Sequence, residues 1–365
     1  MKKVLHVISD SNIGGAGILV LSLLRHIDRT KFEPILCLPR NSLLAPRAEA
    51  LGVRLIPLDG EGDKTLSLPA LLQLFQILRE ERPHILHTHA SLSARLAALT
   101  RRDICCVDTK HCCFPLSPRQ TSPLARLLFR AFERLCRVSY IATAEAAKAQ
   151  LCQRGAKASR ITVIHGGGER IPRLSPTEKT ALRASLGIPK DAFVVGYAAR
   201  AVEGKGHHTL LKAARLLAKH RDILWLVVGS GPQLESLRAS AVGLDNVIFT
   251  GFREDIGRVM NLFDISLNCS YLSETSPLSL SESMSLGIPL VVTDVGGNAP
   301  MAKDCGLVLP PRDPEALAEA VLELRNHTAL YQTLSDGAAR RFSLYAAERM
   351  TRKTEALYLS LLAHR

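Results

Sequence analysis

The sequence predicts an α/β fold with two domains, each built on a parallel sheet. The chain has 365 residues, which is too long for one ordinary core and about right for two. Short aliphatic runs, such as those at 3–9 and 223–228, alternate with longer stretches of helical character. Because buried parallel strands appear as continuous apolar runs between helices, this alternation indicates parallel sheets. A hydrophobic content of 47% with 22% charged residues is typical of a globular protein.

The first half opens with a strand at 3–9, a glycine-bearing loop at 10–17 and a helix at 18–26. A helix is also predicted over 123–137, where Leu and Phe recur between arginines at helical spacing. Further strands are predicted at 33–38, 53–57, 84–88, 104–109, 138–143 and 161–165.

A glycine-rich and proline-rich stretch at 166–189 indicates a connection between domains. We therefore predict a first domain at 1–172, a second domain at 173–344 and a final helix at 345–365. The remaining predicted helices lie at 314–324 and 330–341. Strands of the second half are predicted at 193–198, 223–228, 247–250, 265–268, 289–293 and 306–309.

Two glutamates, Glu274 and Glu282, bracket the segment Thr-Ser-Pro-Leu-Ser-Leu-Ser. Ser276 and Pro277 suit a helix start, with Ser as the cap and Pro at the first helical position. Gly287 marks the end of this helix and precedes a buried strand. Free amides at the helix start favour an anion, and carboxylates accept hydrogen bonds from sugar hydroxyls, so the segment suits a ligand that carries both groups.

The stretch from Glu274 to Gly297 resembles the E-x7-E signature of retaining, nucleotide-sugar-dependent glycosyltransferases of family 4. The resemblance implies the GT-B fold, in which two Rossmann-like domains face each other across a cleft. It implies further that the final helix at 345–365 packs back on the first domain. It also implies that Glu282 holds the ribose hydroxyls and that Glu274 contacts the sugar ring. The donor-binding residues near them are expected to be Ser276, Leu278 and Ser279.

A second motif, from Arg200 to Lys205, is cationic and lies in a loop between a strand and a helix. A guanidinium and an ammonium group in one loop converge most simply on a diphosphate. The segment resembles the family's G-R-x-x-x-x-K-G motif, with Ala199 in place of the usual Gly. By the same resemblance, Gly229 and Arg253 are expected near the donor, with Arg253 in the segment that borders the nucleobase.

The loop Gly14-Gly15-Ala16-Gly17 follows the first strand but lacks the G-x-G-x-x-G spacing and the acidic residue of a dinucleotide site. The resemblance places it near the donor diphosphate and the acceptor, with a simple tight turn as the alternative. His87 and His111 follow strands, where open parallel sheets bind ligands. The resemblance favours His111 as an orienting group near the reacting sugar and His87 as an acceptor-side residue, with structural roles as the alternative.

We predict no metal requirement and no cofactor, because the chain contains no Asp-x-Asp motif. The cysteine pairs 105–106 and 112–113, with His111, are an alternative metal site. Vicinal cysteines on a strand point to opposite faces, however, and thiols stay reduced in the cytosol. The acidic series Asp59, Glu61 and Asp63 is interpreted as a solvated loop.

The net charge of +13 belongs almost entirely to the first half: residues 1–173 carry 26 Lys and Arg against 14 Asp and Glu. Such a surface favours an anionic acceptor or an anionic membrane. The helix at 123–137 predicts peripheral binding at the inner face of the plasma membrane, with a core-packed helix and a solvated arginine face as the alternative. A nucleic-acid partner is excluded, because aromatic residues are only 5% and no recognition motif occurs.

Taken with the resemblance, these features predict a cytoplasmic, metal-independent retaining glycosyltransferase with Arg200, Lys205, Glu274 and His111 as catalytic residues. It would move a hexose or N-acetylhexosamine from a nucleotide-diphosphate sugar to a hydroxyl of a glycan or lipid-linked acceptor, in cell-surface glycan assembly. A GT-B nucleotide-sugar 2-epimerase and a non-catalytic GT-B partner protein are the alternatives.

Overall fold

Contacts divide the chain into two units in the structure, a computed structural model that describes residues 1–60 and 64–364. Unit 1 comprises Met1–Gly167 and Ala347–Arg365, and unit 2 comprises Gly168–Ala346. Glu61 and Asp63 of the predicted acidic loop lie outside the described residues, as does Arg365.

Unit 1 is a parallel sheet with helices on both faces. Its strands are β1 (Lys2–Ile8), β2 (Phe32–Pro39), β3 (Arg54–Leu58), β4 (Ile85–His89), β5 (Cys105–Lys110), β6 (Ser139–Ala142) and β7 (Ile161–Val163). Its helices are α1 (Gly15–His26), α2 (Ala45–Ala50), α3 (Leu68–Glu81), α4 (Leu92–Ala97), α5 (Pro118–Thr121), α6 (Pro123–Cys136) and α7 (Glu145–Arg154). The strand order is β3-β2-β1-β4-β5-β6-β7. The order reverses between β1 and β4, so their carboxyl ends form a ligand-binding switch point.

Unit 2 repeats this plan. Its strands are β8 (Phe193–Ala198), β9 (Ile223–Val228), β10 (Val247–Gly251), β11 (Ile265–Asn268), β12 (Leu290–Thr293) and β13 (Gly306–Leu309). Its helices are α8 (Pro176–Ser185), α9 (His207–Leu216), α10 (Leu234–Ser240), α11 (Ile256–Met260), α12 (Leu278–Ser285), α13 (Asn298–Ala302), α14 (Pro314–Asn326) and α15 (Thr328–Arg341). The order β10-β9-β8-β11-β12-β13 puts the switch point between β8 and β11.

The last helix, α16 (Ala347–Ala363), packs on α1 and belongs to unit 1. Tyr358 is fully buried there, with its ring edge-on to Phe32 at 5.7 Å between centroids. The Asp28 amide donates to Glu355 Oε1 at 2.6 Å. The chain therefore returns to its first unit at its end.

The structure confirms the α/β class and two parallel sheets, with each predicted strand within two residues of an observed one. The predicted boundary at 172/173 was five residues too late. Residues 168–172 belong to unit 2 because the Gly168 amide donates to the Tyr345 carbonyl at 2.9 Å and the Ile171 amide to Ser285 Oγ at 3.0 Å. The final helix starts at Ala347 rather than at 345, since Tyr345 is buried in unit 2.

Candidate active site

A salt bridge at the switch point of unit 2 joins Lys205 and Glu274. Lys205 lies in the loop after β8, Glu274 in the loop after β11, and Lys205 Nζ is 2.5 Å from Glu274 Oε1. The Glu274 side chain is buried, and the same oxygen accepts from the Ser270 hydroxyl at 2.6 Å and from Asn268 Nδ2 at 3.2 Å. Lys205 is therefore held by a carboxylate that is itself fixed by two further donors.

Glycines let the loops around this ion pair approach each other closely. Gly206 has φ of +77°, and a Cβ there would lie 1.9 Å from the Cys269 carbonyl oxygen. A Cβ on Gly297 would lie 1.6 Å from the carbonyl oxygen of Thr275, and the Gly297 amide donates to the Glu274 carbonyl at 3.1 Å. No other residue fits at either place, so the two glycines fix the positions of Lys205 and Glu274.

Arg200 lies in the same loop as Lys205, with its side chain exposed. The loop after β9 packs closely beneath it, because a Cβ on Gly229 would lie 2.0 Å from the Ala199 carbonyl oxygen. The predicted donor residue Gly229 thus has a structural role in supporting the Arg200 loop. Arg253 is bound to Asp255 through two nitrogens, at 2.8 and 2.7 Å.

Glu282 lies on α12 beside the backbone of Gly168, where an added Cβ would come within 3.1 Å of Glu282 Cγ. Burial raises the pKa of Glu282 to about 8, and the nearby Glu169 carboxylate adds to the shift. Near neutral pH the group is therefore largely protonated in the ligand-free protein.

The predicted cap of α12 was wrong. The helix starts at Leu278, and Pro277, not Ser276, occupies the cap position, with no side-chain cap hydrogen bond. The reason is that Gly297 abuts the Thr275 backbone and holds 274–276 in a non-helical path. Leu278 and Ser279 form the first turn, and Gly287 follows the helix with φ of +72°, as predicted.

In unit 1, α1 begins at Gly15 rather than at Ile18, so Gly15, Ala16 and Gly17 form its first turn and Gly14 is the cap. Gly17 is required by packing, since a Cβ there would lie 2.6 Å from the Leu44 side chain. Gly15 is exposed, with no atom within 4 Å of a Cβ placed there. The loop at 9–14 connects this turn to the carboxyl end of β1.

Four histidines cluster at the switch point of unit 1. His6 Nδ1 is 3.3 Å from His89 Nε2, and His89 Nδ1 is 3.0 Å from His111 Nε2. Burial lowers the pKa of each, to about 3 for His6 and about 4 for His111. These three neutral rings form a hydrogen-bonded chain that ends at the partly buried His111.

His87 is buried, and its contacts favour the structural role given as the alternative over the predicted acceptor-side role. Its side chain is 1% exposed, and its ring nitrogens are bonded to the Tyr358 hydroxyl at 2.5 Å and Thr109 Oγ1 at 2.6 Å. His6 and His89 were not predicted as partners of His111. The signal was the alternation His87-Thr-His89, which puts both rings on one face, next to a histidine on the central strand.

Three ring nitrogens, one each from His6, His87 and His89, lie within 4.8 Å of one another and are the one group among the described residues with metal-ligand geometry. Both nitrogens of His87 and both of His89 are already hydrogen-bonded. Metal binding there would break these bonds, so the cluster is better described as a hydrogen-bond chain. The pairs 105–106 and 112–113 are among nine free cysteines.

Two parallel-sheet units, with the cations Arg200 and Lys205 at the switch point of unit 2, are typical of a glycosyltransferase of the GT-B class. The model of Glycosyltransferase Family 4 matches residues 13–168, and that of Glycosyl transferases group 1 matches residues 192–327. Together they span most of the chain, which belongs to glycosyltransferase family 4. The alternatives of an epimerase and of a non-catalytic partner are not favoured by these matches.

Relatives and solved structures agree with this assignment. The chain is 27% identical over 341 residues to a D-inositol 3-phosphate glycosyltransferase of Nocardioides sp., covering 82% of this chain and 73% of the relative. It is 24% identical over 280 residues to an Escherichia coli UDP-Gal:alpha-D-GlcNAc-diphosphoundecaprenol alpha-1,3-galactosyltransferase, covering 72% of each. Anabaena HepE in complex with UDP and glucose has the same fold, with a TM-score of 0.83 at 21% identity over 99% of this chain and 100% of that one.

Proposed function

We propose that the protein transfers a hexose or N-acetylhexosamine from a nucleotide-diphosphate sugar to an acceptor hydroxyl, with retention of configuration, in cell-surface glycan assembly. The observation that carries the proposal is the Lys205–Glu274 pair at the switch point of unit 2. It supplies a fixed cation and a carboxylate at the strand ends where open sheets bind ligands. The name of the Escherichia coli relative gives UDP-Gal as the donor and a GlcNAc-diphosphoundecaprenol as the acceptor, which agrees with this substrate class.

In this proposal, unit 2 binds the donor and stabilises the leaving group. Cleavage of the anomeric bond places negative charge on the β-phosphate oxygen, which Arg200, Lys205 and the first amides of α12 would stabilise. Glu274 would hold Lys205 in place and accept a hydrogen bond from the sugar. The departing phosphate oxygen would take the proton of the acceptor hydroxyl, so that attack occurs on the same face. Glu282 would bind the ribose hydroxyls.

On the acceptor side, unit 1 would contribute the first turn of α1, with Gly14, Gly15 and Ala16, and His111. Because burial lowers its pKa, the His111 ring is neutral near pH 7 and would form a hydrogen bond with a hydroxyl of the substrate. By the structural division, unit 1 carries 28 Lys and Arg against 15 Asp and Glu, and unit 2 carries 19 against 19. This charge suits an anionic acceptor.

The charge of unit 1 also supports binding to the inner face of the plasma membrane through α6. Its leucines Leu124, Leu127, Leu128 and Leu135 are 61–65% exposed, so the helix is not a core-packed helix with only arginines in solvent. Among the described residues no helix has the length and apolar character to cross a membrane. All nine cysteines are free.

Flotation on vesicles tests the membrane proposal. Replacing Leu124, Leu127 and Leu128 by Gln should abolish flotation, because each buried leucine contributes about 1.5–3 kcal/mol. Replacing Arg126, Arg130 and Arg134 by Gln should reduce flotation on anionic vesicles only, by about 1 kcal/mol per arginine. The control replaces exposed Leu216 and Val242 of unit 2 by Gln. Unchanged flotation of both α6 variants would refute the proposal.

A thermal-shift screen against nucleoside diphosphates tests the transferase proposal, because a ligand that binds only the folded protein stabilises it increasingly as its concentration rises above Kd. Nucleotide-sugars that carry the nucleotide selected by the screen are then incubated with and without acceptor, and the anomeric configuration of the product is read by NMR. Turnover should need the acceptor and persist in excess chelator, since cationic side chains take the place of a metal. A C2 epimer formed without acceptor would identify an epimerase instead.

A further inference from the structure

A basic cavity lies beside α6 in unit 1, away from the histidine chain. Its volume is about 240 Å³. Four of the six residues that line it are cationic and one is acidic. The lining residues are Arg130, Glu133 and Arg134 of α6 with Gly155, Lys157 and Arg160 of the segment that follows α7.

Two of the cations are fixed by backbone carbonyls. Arg130 Nε donates to the Gly155 carbonyl at 3.1 Å, and Arg160 Nη1 donates to the Glu133 carbonyl at 3.2 Å. Gly155 makes the approach possible, since its φ is +114° and a Cβ there would lie 3.0 Å from the Arg126 carbonyl oxygen. Each guanidinium is therefore oriented through one nitrogen, and its other nitrogens can bind a planar or tetrahedral oxyanion.

The single acidic residue of the lining is outnumbered by the four cationic ones, so the cavity stays cationic whatever its charge state. Glu133 is 4% exposed, and its Oε1 has no hydrogen-bond partner in the structure. Burial raises the pKa of this carboxyl, while Tyr140 and the guanidinium groups of Arg160, Arg95 and Arg154 act in the opposite direction. An anion with several acceptor oxygens would accept hydrogen bonds from the remaining guanidinium nitrogens.

The cavity is on the helix that carries the exposed leucines. Phe129 and Phe132 pack against the core of unit 1, and the exposed leucines form the adjoining solvent-facing side of α6. By helical spacing Arg130 and Arg134 lie between these two faces. If the leucines enter the acyl layer, the cations that line the cavity lie at the depth of the lipid phosphates.

We propose that this cavity binds the phosphate group of an anionic phospholipid and gives the protein a preference for that headgroup over other anionic surfaces. The proposal rests on the membrane association argued above, but it makes a separate claim. General attraction depends on surface charge alone. The cavity adds fixed guanidinium groups that match the oxygens of phosphate.

Vesicles of matched surface charge separate the two effects. One set contains phosphatidic acid and the other contains oleate, each in phosphatidylcholine, so that both are anionic but only one presents an exposed phosphate monoester. The wild type should partition onto phosphatidic acid roughly tenfold more strongly. Lys157→Gln with Arg160→Gln should remove this preference. The control, Lys2→Gln with Arg79→Gln, removes the same charge from β1 and α3 and should keep it.

A titration with glycerol 3-phosphate tests the cavity without a membrane. It is done by NMR in the Arg200→Ala, Lys205→Ala background, so that the donor site does not compete. Binding should be lost with Lys157→Glu, an exposed position whose charge reversal leaves the fold intact. Binding without any vesicle preference would overturn the lipid as the source of the phosphate, and no binding in either assay would overturn the site.

The two proposals can fail independently. Flotation without headgroup preference would retain membrane association and reject the cavity. Unchanged flotation of both α6 variants, with glycerol 3-phosphate still bound, would reject membrane association through α6 and retain the phosphate-binding cavity.

Discussion

Lys205 was predicted from its spacing to Arg200, and the structure adds the partner that spacing alone does not give. A loop lysine can point anywhere, but Nζ lies 2.5 Å from Glu274, which comes from a different strand end. The ion pair is 28% exposed on the lysine side and 8% on the glutamate side. We expect the ion pair to orient the Lys205 ammonium group before the donor binds.

Lys205→Ala should lower kcat/KM by about 10²-fold or more, because it removes a cation that faces the leaving group. The matched control is Lys212→Ala, which removes an exposed lysine from α9 in the same unit. Steady-state kinetics with saturating acceptor measures both. A Lys205→Ala enzyme with near-wild-type turnover would show that the ion pair has a structural role only.

Donor binding should depend on pH through Glu282. Ribose hydroxyls donate to a carboxylate, but the raised pKa keeps this group protonated below about 8. Affinity for the intact nucleotide-sugar should therefore rise with pH between about 6.5 and 8.5, by at most about tenfold per pH unit. Glu169→Gln should move the profile to lower pH, and Glu282→Gln should flatten it. Calorimetry across this range measures the effect.

The same shift has a consequence for stability. The folded pKa lies above the ordinary value of 4.5, so the folded state retains a proton that the unfolded chain loses. The contribution of Glu282 to the free energy of unfolding is thus favourable at low pH and falls as pH rises from 4.5 towards 8. No feature of the sequence indicated this, because Glu169 and Glu282 are brought together only by folding.

At the scale of elements, the positions of the strands were predictable from the sequence, but the first residues of the helices α1 and α12 were not. Apolar runs between helices located the strands, since a buried parallel strand has no polar face. The start of α12 depends on Gly297 contacting the Thr275 backbone, a contact between residues distant in sequence. The chain of His6, His89 and His111 likewise needs the register of three neighbouring strands.

Gly206 should be more sensitive to substitution than its backbone angle alone implies. Gly206→Ala meets the Cys269 carbonyl, whereas Gly243→Ala, with φ of +83°, has open space around the added methyl group. Both variants should lose about 1 kcal/mol from the left-handed conformation. Gly206→Ala should lose more and should also weaken donor binding, because it displaces the loop that carries Lys205. Equal melting temperatures for the two variants would contradict the close approach.

At the scale of the whole molecule, the chain order and the structural units differ. Unit 2 is one continuous segment, but unit 1 needs α16 from the far end of the chain. The charge division follows the same boundary, with the excess of Lys and Arg confined to unit 1. The sequence predicted this return of the last helix only through the family resemblance, because an amphipathic helix does not itself indicate which unit it covers.

Truncation after Ala346 should therefore destabilise unit 1 selectively. It removes Tyr358, which is buried against Phe32 and bonded to His87, and Glu355, which accepts from the Asp28 amide. Hydrogen exchange should show loss of protection in β1, β4 and α1, with β8 to β13 unchanged. The truncated chain should still give a thermal shift with the nucleoside diphosphate, since Arg200, Lys205 and Glu282 all lie in unit 2. Loss of nucleotide binding together with loss of protection in unit 2 would show that the two units do not fold independently.

Tyr358→Phe, which keeps the ring and removes the hydroxyl, should retain the fold and disturb only the bond to His87.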